Sequence, residues 1–406
     1  MNAKPVNRAV IVAGTILAQM GLGTIYTWSL YNQPLVDKFN WSLGSVATTF
    51  SITSFFLAFA TLFAGRIQER IGIRKLTLIS GLVLGLALMC SAYVTSLTAI
   101  WLLVGVVVGF ADGTAYITTL SNLIKWFPNR KGLIAGVSVG AYGTGSLLFK
   151  YINSALLGHV GISQTFFWWG MMAMALIVTG SLLLKEARVL PTAANATGAG
   201  NINFTVSEML AVKESWMLFV VFFTACMSGL YLIGIAKDIG VRMVGLDAVT
   251  AANAVSAIAI CNTAGRLILG SLSDKVGRLR VINFTLLVTA ISVSVMAFLP
   301  MNHLTFFLCT GAVAFCFGGN ITVFPAIVGD FFGLRHHSKN YGLIYQGFGL
   351  GALSGSFIAA QLGGFQSTFI AITVLSVISL MITLVIRPPK STPSQSAKLV
   401  TQSSNA

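Results

Sequence analysis

Apolar runs of about 20 residues, separated by short polar breaks, set the limits on what this chain can fold into. A run of that length matches the hydrocarbon thickness of a bilayer. In that medium a helix satisfies its own backbone hydrogen bonds. Charged residues make up 9% of the chain and hydrophobic residues 56%, whereas a soluble domain carries about 25% charge. That balance argues against a water-soluble enzyme, a disordered chain or a secreted disulfide scaffold. The reading is an all-α polytopic membrane protein, and not an enzyme.

At about 30 residues per span and loop, 406 residues hold twelve spans. They are predicted over 9–31, 46–66, 75–94, 98–122, 132–156, 164–186, 214–236, 247–271, 280–300, 303–328, 340–361 and 365–387. The first follows a short basic segment, Met1 to Arg8, contains Gln19 and shows no small-residue cleavage site. It therefore reads as a span and not as a signal peptide. With the N-terminus inside, 20 of the 25 Lys and Arg fall in cytoplasmic loops and termini, and three (Lys38, Lys237, Arg242) fall outside. This bias predicts both termini inside. It also accounts for the net charge of +15 without nucleic acid.

The longest polar segment, 187–213, contains a run of small residues from Pro191 to Gly200 and reads as a linker. It divides the chain into an N-terminal bundle of six spans (1–186) and a C-terminal bundle of six (214–387). A Ser- and Pro-rich cytoplasmic tail (388–406) is expected to be disordered. Phe204 to Lys213 is predicted to lie at the membrane interface, with Phe204, Met209 and Leu210 as its apolar side. The halves repeat one another. Gly65, Glu69, Arg70 and Gly72 recur 205 residues later as Gly270, Asp274, Lys275 and Gly277. Lys125-Trp-Phe-Pro likewise resembles Asp330-Phe-Phe-Gly, and Gly132-Leu-Ile resembles Gly342-Leu-Ile. Two parallel bundles related by an axis along the membrane normal produce such a pattern.

On these residues the chain resembles the major facilitator superfamily, whose loop signature matches 65–75 and 270–280. Within it the chain looks like the oxalate:formate antiporter family. That resemblance covers nearly all twelve spans. It rests on Tyr26-Thr-Trp-Ser-Leu-Tyr31 with Pro34, Lys125 to Gly132, Ala141-Tyr-Gly-Thr-Gly145, Gly265-Arg266, Gly318 to Pro325 and Asn340-Tyr-Gly342. The match is nearer to a pyruvate-linked subgroup of the bacterial inner (cytoplasmic) membrane than to the oxalate carrier itself. The resemblance implies a secondary carrier of small organic anions, with an anion-binding Arg at Arg266. It puts the family's second cation, a Lys, at Phe348, and its cavity aromatics at Tyr26, Tyr116, Tyr142, Tyr345, Phe317 and Ile321.

The residues support a site independently. Arg266 lies inside span eight among small neighbours, and intramembrane cations generally mark function. A guanidinium matches a carboxylate through a planar fork. Snorkelling to the headgroups and anchoring to Asp274 are the dull alternatives. The tyrosines, with Asn262, Gln346 and Asn320, are predicted to line a small polar cavity that Phe348 and Phe317 make partly apolar. Asp112 sits at the centre of span four, where a carboxylate must be neutral or paired because its charge is desolvated. Its readings are a proton carrier or a structural partner, with Lys150 on the neighbouring span as a mate; Lys150 otherwise reads as reaching the outer interface or as a second cavity cation replacing the one missing at Phe348. Tyr31 and Trp41 read as interface girdle. Gly132, Gly136 and Gly140 on span five, and Gly347, Gly349, Gly351 and Gly355 on span eleven, read as sliding surfaces toward the opposite half. The loop residues Gly65, Glu69, Arg70, Gly72, Gly270, Asp274, Lys275, Gly277 and Arg278 read as gating elements that tie spans two to three and eight to nine.

No cofactor or metal is expected. Cys90, Cys226, Cys261, Cys309 and Cys316 lie in apolar runs and read as small buried hydrophobes. His336 and His337 read as surface residues. The glycine runs lack the Lys-Ser/Thr of a phosphate loop. One cation among phenols fits a monocarboxylate such as pyruvate, lactate or formate, carried by a monomer by alternating access, with proton symport, anion exchange or uniport left open. Oxalate/formate exchange, a drug or sugar exporter of the same fold, and a transport-inactive metabolite sensor are the alternatives.

Overall fold

The computed structural model describes residues 7–187, 203–362 and 364–389. The predicted linker between 188 and 202, and the tail from 390 onward, lie outside the described residues. Helix α1 (Arg8–Leu22) runs on as a 3₁₀ stretch, Gly23–Leu30. A short α2 (Asn32–Phe39) leads to α3 (Leu43–Ile71) and α4 (Ile73–Ser91). The next span starts as α5 (Leu97–Ile100), continues as a π-helical stretch, Trp101–Val108, and ends as α6 (Gly109–Trp126). Helix α7 covers Lys131–Leu183 and turns at Gly161, where φ is 73°. A side chain would be strained in that conformation, so the glycine marks the join between predicted spans five and six.

The second half repeats the plan. It consists of α8 (Val206–Leu210), α9 (Lys213–Val244), α10 (Ala248–Val276), α11 (Arg278–Phe298), α12 (His303–Phe332), α13 (His337–Ile344) with α14 (Gln346–Leu362), and α15 (Phe365–Val385). Among the described residues, nine helical segments are long and apolar enough to cross a membrane, the kinked α7 counting once. Helix α10 and the α13–α14 pair occupy predicted spans eight and eleven. Residues 72 and 277, the repeated loop glycines, both have positive φ, as the tight links α3–α4 and α10–α11 require.

The pattern of burial is that of a membrane protein. Large apolar side chains such as Phe59, Leu86, Ile268 and Leu384 are exposed, while Thr15, Gln19, Asn122, Asn153 and Ser376 are buried. Internal hydroxyls return to their own helix, as Thr15 Oγ1 does in donating to Ile11 O at 2.9 Å. Amides reach across: Gln19 Nε2 donates to Thr119 Oγ1 at 3.0 Å and to Tyr116 O at 3.3 Å, joining α1 to α6.

Several expectations are corrected by packing. The segment from Phe204 to Lys213 does not lay its apolar side on lipid. Phe204 and Met209 are fully buried, and Phe204 donates its N–H to Phe332 O at 2.9 Å. Tyr31 is no girdle residue: it is buried, with its ring stacked on Phe166 at 4.9 Å and on Trp169 at 5.0 Å. Of the cysteines, Cys90 is exposed and Cys261 only half-buried. His337 is fully buried rather than superficial. The span-eleven glycines mostly face their own half. A methyl group on Gly347 would meet Phe222 and Phe223, one on Gly351 would meet Met227, and one on Gly355 would meet Tyr231, all on α9. Gly349 alone of the four turns to α3, at Ala58.

Candidate functional site

Helices of both halves converge on one cavity. It is lined by Tyr26 from the 3₁₀ stretch, Tyr116 on α6, Val139 and Tyr142 on α7, Arg266 on α10, and Phe317 and Ile321 on α12. Tyr345 and Phe348, at the α13–α14 junction, close the ring. The aromatics form a chain across the halves. Tyr26 and Tyr142 lie 5.5 Å apart centroid to centroid, Tyr142 and Tyr116 5.4 Å, Tyr116 and Tyr345 5.4 Å. Tyr345 then stacks on Phe348 at 5.0 Å. The free space is about 10 Å³, room for about one water. In this conformation the cavity is collapsed, and anything larger than a water enters only if rings withdraw.

Arg266 is 6% exposed. Its Nη1 donates to Val139 O at 2.8 Å, across the halves. Its Nε is buried and has no hydrogen-bond partner. Glycines on α7 permit this approach: a Cβ on Gly143 would stand 3.0 Å from Arg266 Nη1, and one on Gly136 2.8 Å from Arg266 O. Neither dull reading of Arg266 survives. Snorkelling would carry the guanidinium to the surface, and Asp274 is engaged elsewhere, with Arg278. One edge of the fork is thus pinned to a carbonyl and the Nε edge is left open. A buried donor without a partner costs about 1–3 kcal/mol, which an arriving carboxylate would relieve.

Three predicted lining residues are not part of this cavity; their amides are engaged by backbone carbonyls or hydroxyls elsewhere. Asn262 Nδ2 donates to Ala314 O at 3.1 Å. Gln346 Nε2 donates to Ala58 O at 2.7 Å, Gly342 O at 2.8 Å and Thr61 Oγ1 at 3.0 Å. Asn320 Oδ1 accepts from Thr285 Oγ1 at 2.8 Å. Val139 was missed, since it contributes a backbone carbonyl that its side chain does not advertise. The nearby glycines on span five are the signal that backbone comes close there.

Asp112 is fully buried behind the cavity wall. Tyr142 Oη donates to its two oxygens at 3.3 and 3.4 Å. The anticipated pair with Lys150 is not formed. Lys150 Nζ instead lies 3.4 Å from Ser256 Oγ on α10, away from the cavity. A π-helical stretch immediately precedes α6, an irregularity often found beside functional residues.

The repeated loops also behave differently from expectation. They join one half to the other as well as tying neighbouring spans, α10 to α11, through Asp274 and Arg278. Asp274 accepts from the N–H groups of Gly132 (3.0 Å) and Leu133 (2.7 Å) at the start of α7. The same carboxylate meets Arg278 at 2.5 Å. Arg278 also meets Asp330 at 3.1 Å, and Asp330 meets Lys131 at 2.5 Å. On the other side Glu69 pairs with Lys339 at 2.5 Å. A Cβ on Gly65 would press on Lys339, and one on Gly132 on Gly270 O and Ser273. Arg70 and Lys275 point outward and are exposed. Nearby, His337 Nε2 must donate to Pro325 O (2.7 Å), because that oxygen only accepts. Nδ1 therefore accepts from Ser121 Oγ (2.9 Å) on α6 of the other half.

The helices and the cavity between their two halves define a class, the two-bundle membrane carrier. The chain belongs to the Major Facilitator Superfamily, whose model matches residues 11–237 and 218–404. It is 47% identical over 348 residues to the MFS-type transporter YhjX of Escherichia coli (strain K12), itself uncharacterised, covering 85% of this chain and 86% of that one. It is 25% identical to the oxalate:formate antiporter of Oxalobacter formigenes over 390 residues, or 94% and 92% of the two chains. It is 24% identical to apicoplast pyruvate carrier 1 of Toxoplasma gondii over 362 residues, or 74% and 64%. Among solved structures, the proton:xylose symporter XylE shares the fold with a TM-score of 0.74, at 12% identity over 93% of this chain and 95% of that one.

Proposed function

We propose that this transporter carries a small monocarboxylate (pyruvate, lactate or formate) across the bacterial inner membrane, with both termini and the basic loops on the cytoplasmic side. The observation that carries the reading is Arg266: a cavity-lining guanidinium, one edge held by Val139 O and Nε buried without a partner. One open edge offers one bidentate seat for one carboxylate. Tyrosine hydroxyls serve the substrate's remaining oxygens, and Phe317, Ile321 and Phe348 face its carbon end. A dianion would leave a second charge in low dielectric with no fixed partner, a cost of several kcal/mol. The names of the antiporter and the pyruvate carrier agree with a small organic acid.

The carrier works as a monomer by alternating access, its bundles (1–186 and 214–387) rocking about the collapsed site. The Asp274–Arg278–Asp330–Lys131 network, the Glu69–Lys339 pair and the His337–Ser121 bond hold the cytoplasmic end shut and break when it opens. Asp112 exchanges a proton with the cavity through Tyr142. Anion exchange without a proton uses the same seat.

The test is uptake of labelled pyruvate, lactate and formate into proteoliposomes holding only this chain, with binding measured in parallel. Arg266→Gln should leave folded protein and weaken binding by about 2–5 kcal/mol. Binding unchanged by that substitution refutes the site. Substrate binding without uptake by wild type would identify a sensor instead of a carrier.

A further inference from the structure

A second cavity, of about 60 Å³, lies at the end of the molecule that carries the basic loops. That space holds about four waters, or one oxyanion of phosphate size. It sits between the halves. Gly65, Gln68, Glu69, Lys125 and Glu186 line it from the N-terminal side, and Arg335, His336, Ser338 and Lys339 from the C-terminal side.

Its two carboxylates are already engaged. Glu186 accepts from Gln68 Nε2 at 2.6 Å and from the Ile73 N–H at 2.9 Å, capping the start of α4. Glu69 holds Lys339. Lys125 has no carboxylate within ion-pair distance among the described residues. Burial, with Lys339 and Arg335 close by and Lys125 beyond, holds the His336 imidazole below its usual pKa, against the opposing pull of Glu69.

The internal repeat shows what is missing. The 205-residue offset that relates Glu69 to Asp274 also relates Lys125 to Asp330. In the C-terminal half Asp330 is the acid that joins the halves, taking Lys131 at 2.5 Å and Arg278 at 3.1 Å. At the matching place in the N-terminal half stands a lysine; of the charged residues lining the cavity with it, Lys339 and Arg335 carry the same sign and Glu69 and Glu186 the opposite one. Each side of the basic end is joined by opposite charges, Asp330 with Lys131 and Arg278 on one and Glu69 with Lys339 on the other; the second side adds Lys125 and Arg335, cations without an ion-pair partner among the described residues, around an open space.

We infer that this cavity is an anion site, where a phosphate-type oxyanion takes the place that Asp330 fills on the other side, bridging Lys125 to Arg335 and Lys339 and locking the basic end shut. The oxyanion is either free phosphate or the phosphate of a lipid headgroup that reaches in from the bilayer. The inference does not depend on which substrate the central cavity carries.

Thermal stability of purified wild type in lipid-free neutral detergent is titrated with inorganic phosphate, with chloride at matched ionic strength as reference. A saturable rise of the midpoint with phosphate is expected. Lys125→Gln should weaken apparent phosphate affinity about tenfold or more, the loss of one charge-assisted hydrogen bond, and Lys125→Arg should restore it. Lys125→Asp should raise the midpoint without phosphate and abolish the response, because it supplies the carboxylate directly. In a second arm, nanodiscs of phosphatidylcholine with and without phosphatidylglycerol replace detergent. Stabilisation by the anionic lipid that Lys125→Gln removes assigns the oxyanion to a headgroup. Pyruvate binding at Arg266 should persist in Lys125→Gln, so failure of this site and failure of the central one read differently. A phosphate or lipid response that is the same in wild type and Lys125→Gln, the absence of both responses in wild type, or a Lys125→Asp protein that still responds would overturn the inference.

Discussion

At the scale of single residues, the proposed function divides its chemistry between Arg266, on the wall of the central cavity, and Asp112 behind it. Arg266 presents one free edge, and Asp112 stands one phenol away from the same space. In the proposed function this fully buried carboxylate, which accepts from Tyr142 Oη, exchanges a proton as its surroundings open and close. Asp112→Asn is expected to uncouple uptake from an imposed pH gradient while exchange of labelled anion continues. Gradient-driven accumulation by the mutant would make Asp112 structural. Phe348 sets the other limit. It lies on the cavity wall where the resembled oxalate carrier has a lysine, and Lys150 does not reach in to replace that charge. Oxalate should compete poorly against a labelled monocarboxylate, and Phe348→Lys should move the ratio toward oxalate. Tighter oxalate than pyruvate binding by wild type would contradict this. The residues that were legible in sequence are those whose type is costly inside a membrane. A guanidinium or a carboxylate there needs a reason, whereas Asn262, Gln346 and Asn320 can be absorbed by any neighbouring carbonyl or hydroxyl, and were.

Elements carry the gate. Helix α7 starts under Asp274, which accepts two of the N–H groups a helix start leaves open. A carboxylate at that position also suits the positive end of the helix dipole. Asp274→Asn removes the charge from these bonds and from the contact with Arg278, which should favour opening of the basic end by about 1.5–3 kcal/mol. Spin labels at Arg70 and Lys275, one in each half and both exposed, should then report a population at longer distance. An unchanged distance distribution would show that the network is not what holds this end closed. The repeated motif was visible in the sequence as Gly-x3-acid-base-x-Gly. Its partners were not, because they come from distant loops: Gly132 meets Asp274 across 142 residues, and Arg278 meets Asp330 across 52. Spacing predicted links within a bundle; packing made one of them, Asp274 with Arg278, and added others between bundles. Span eleven teaches the same lesson in reverse. Its glycines, expected to face the opposite half, mostly admit α9 of their own.

For the whole molecule, the asymmetry of Lys and Arg sets orientation. In a variant lacking the native cysteines, Tyr93→Cys, on the loop at the other end and 77% exposed, should react with an impermeant thiol reagent from outside intact cells. Arg70→Cys should react only in inverted vesicles. The opposite pattern would invert the topology. Apolar run length, loop charge and internal repeat already determined that this chain spans a membrane many times as two related halves, because hydrocarbon thickness and backbone hydrogen bonding leave a run of 20 apolar residues little other choice. The rarity of ionised groups inside such runs singled out Arg266 and Asp112 as well. Only the tertiary structure decided which groups meet: that Val139 O holds Arg266, that Tyr142 and not Lys150 serves Asp112, that His337 is buried between halves, and that Lys125 shares an open space with Arg335 and Lys339. Those are contacts between residues tens to hundreds of positions apart, and they depend on helix rotation and close approach at glycines, which hydropathy does not encode.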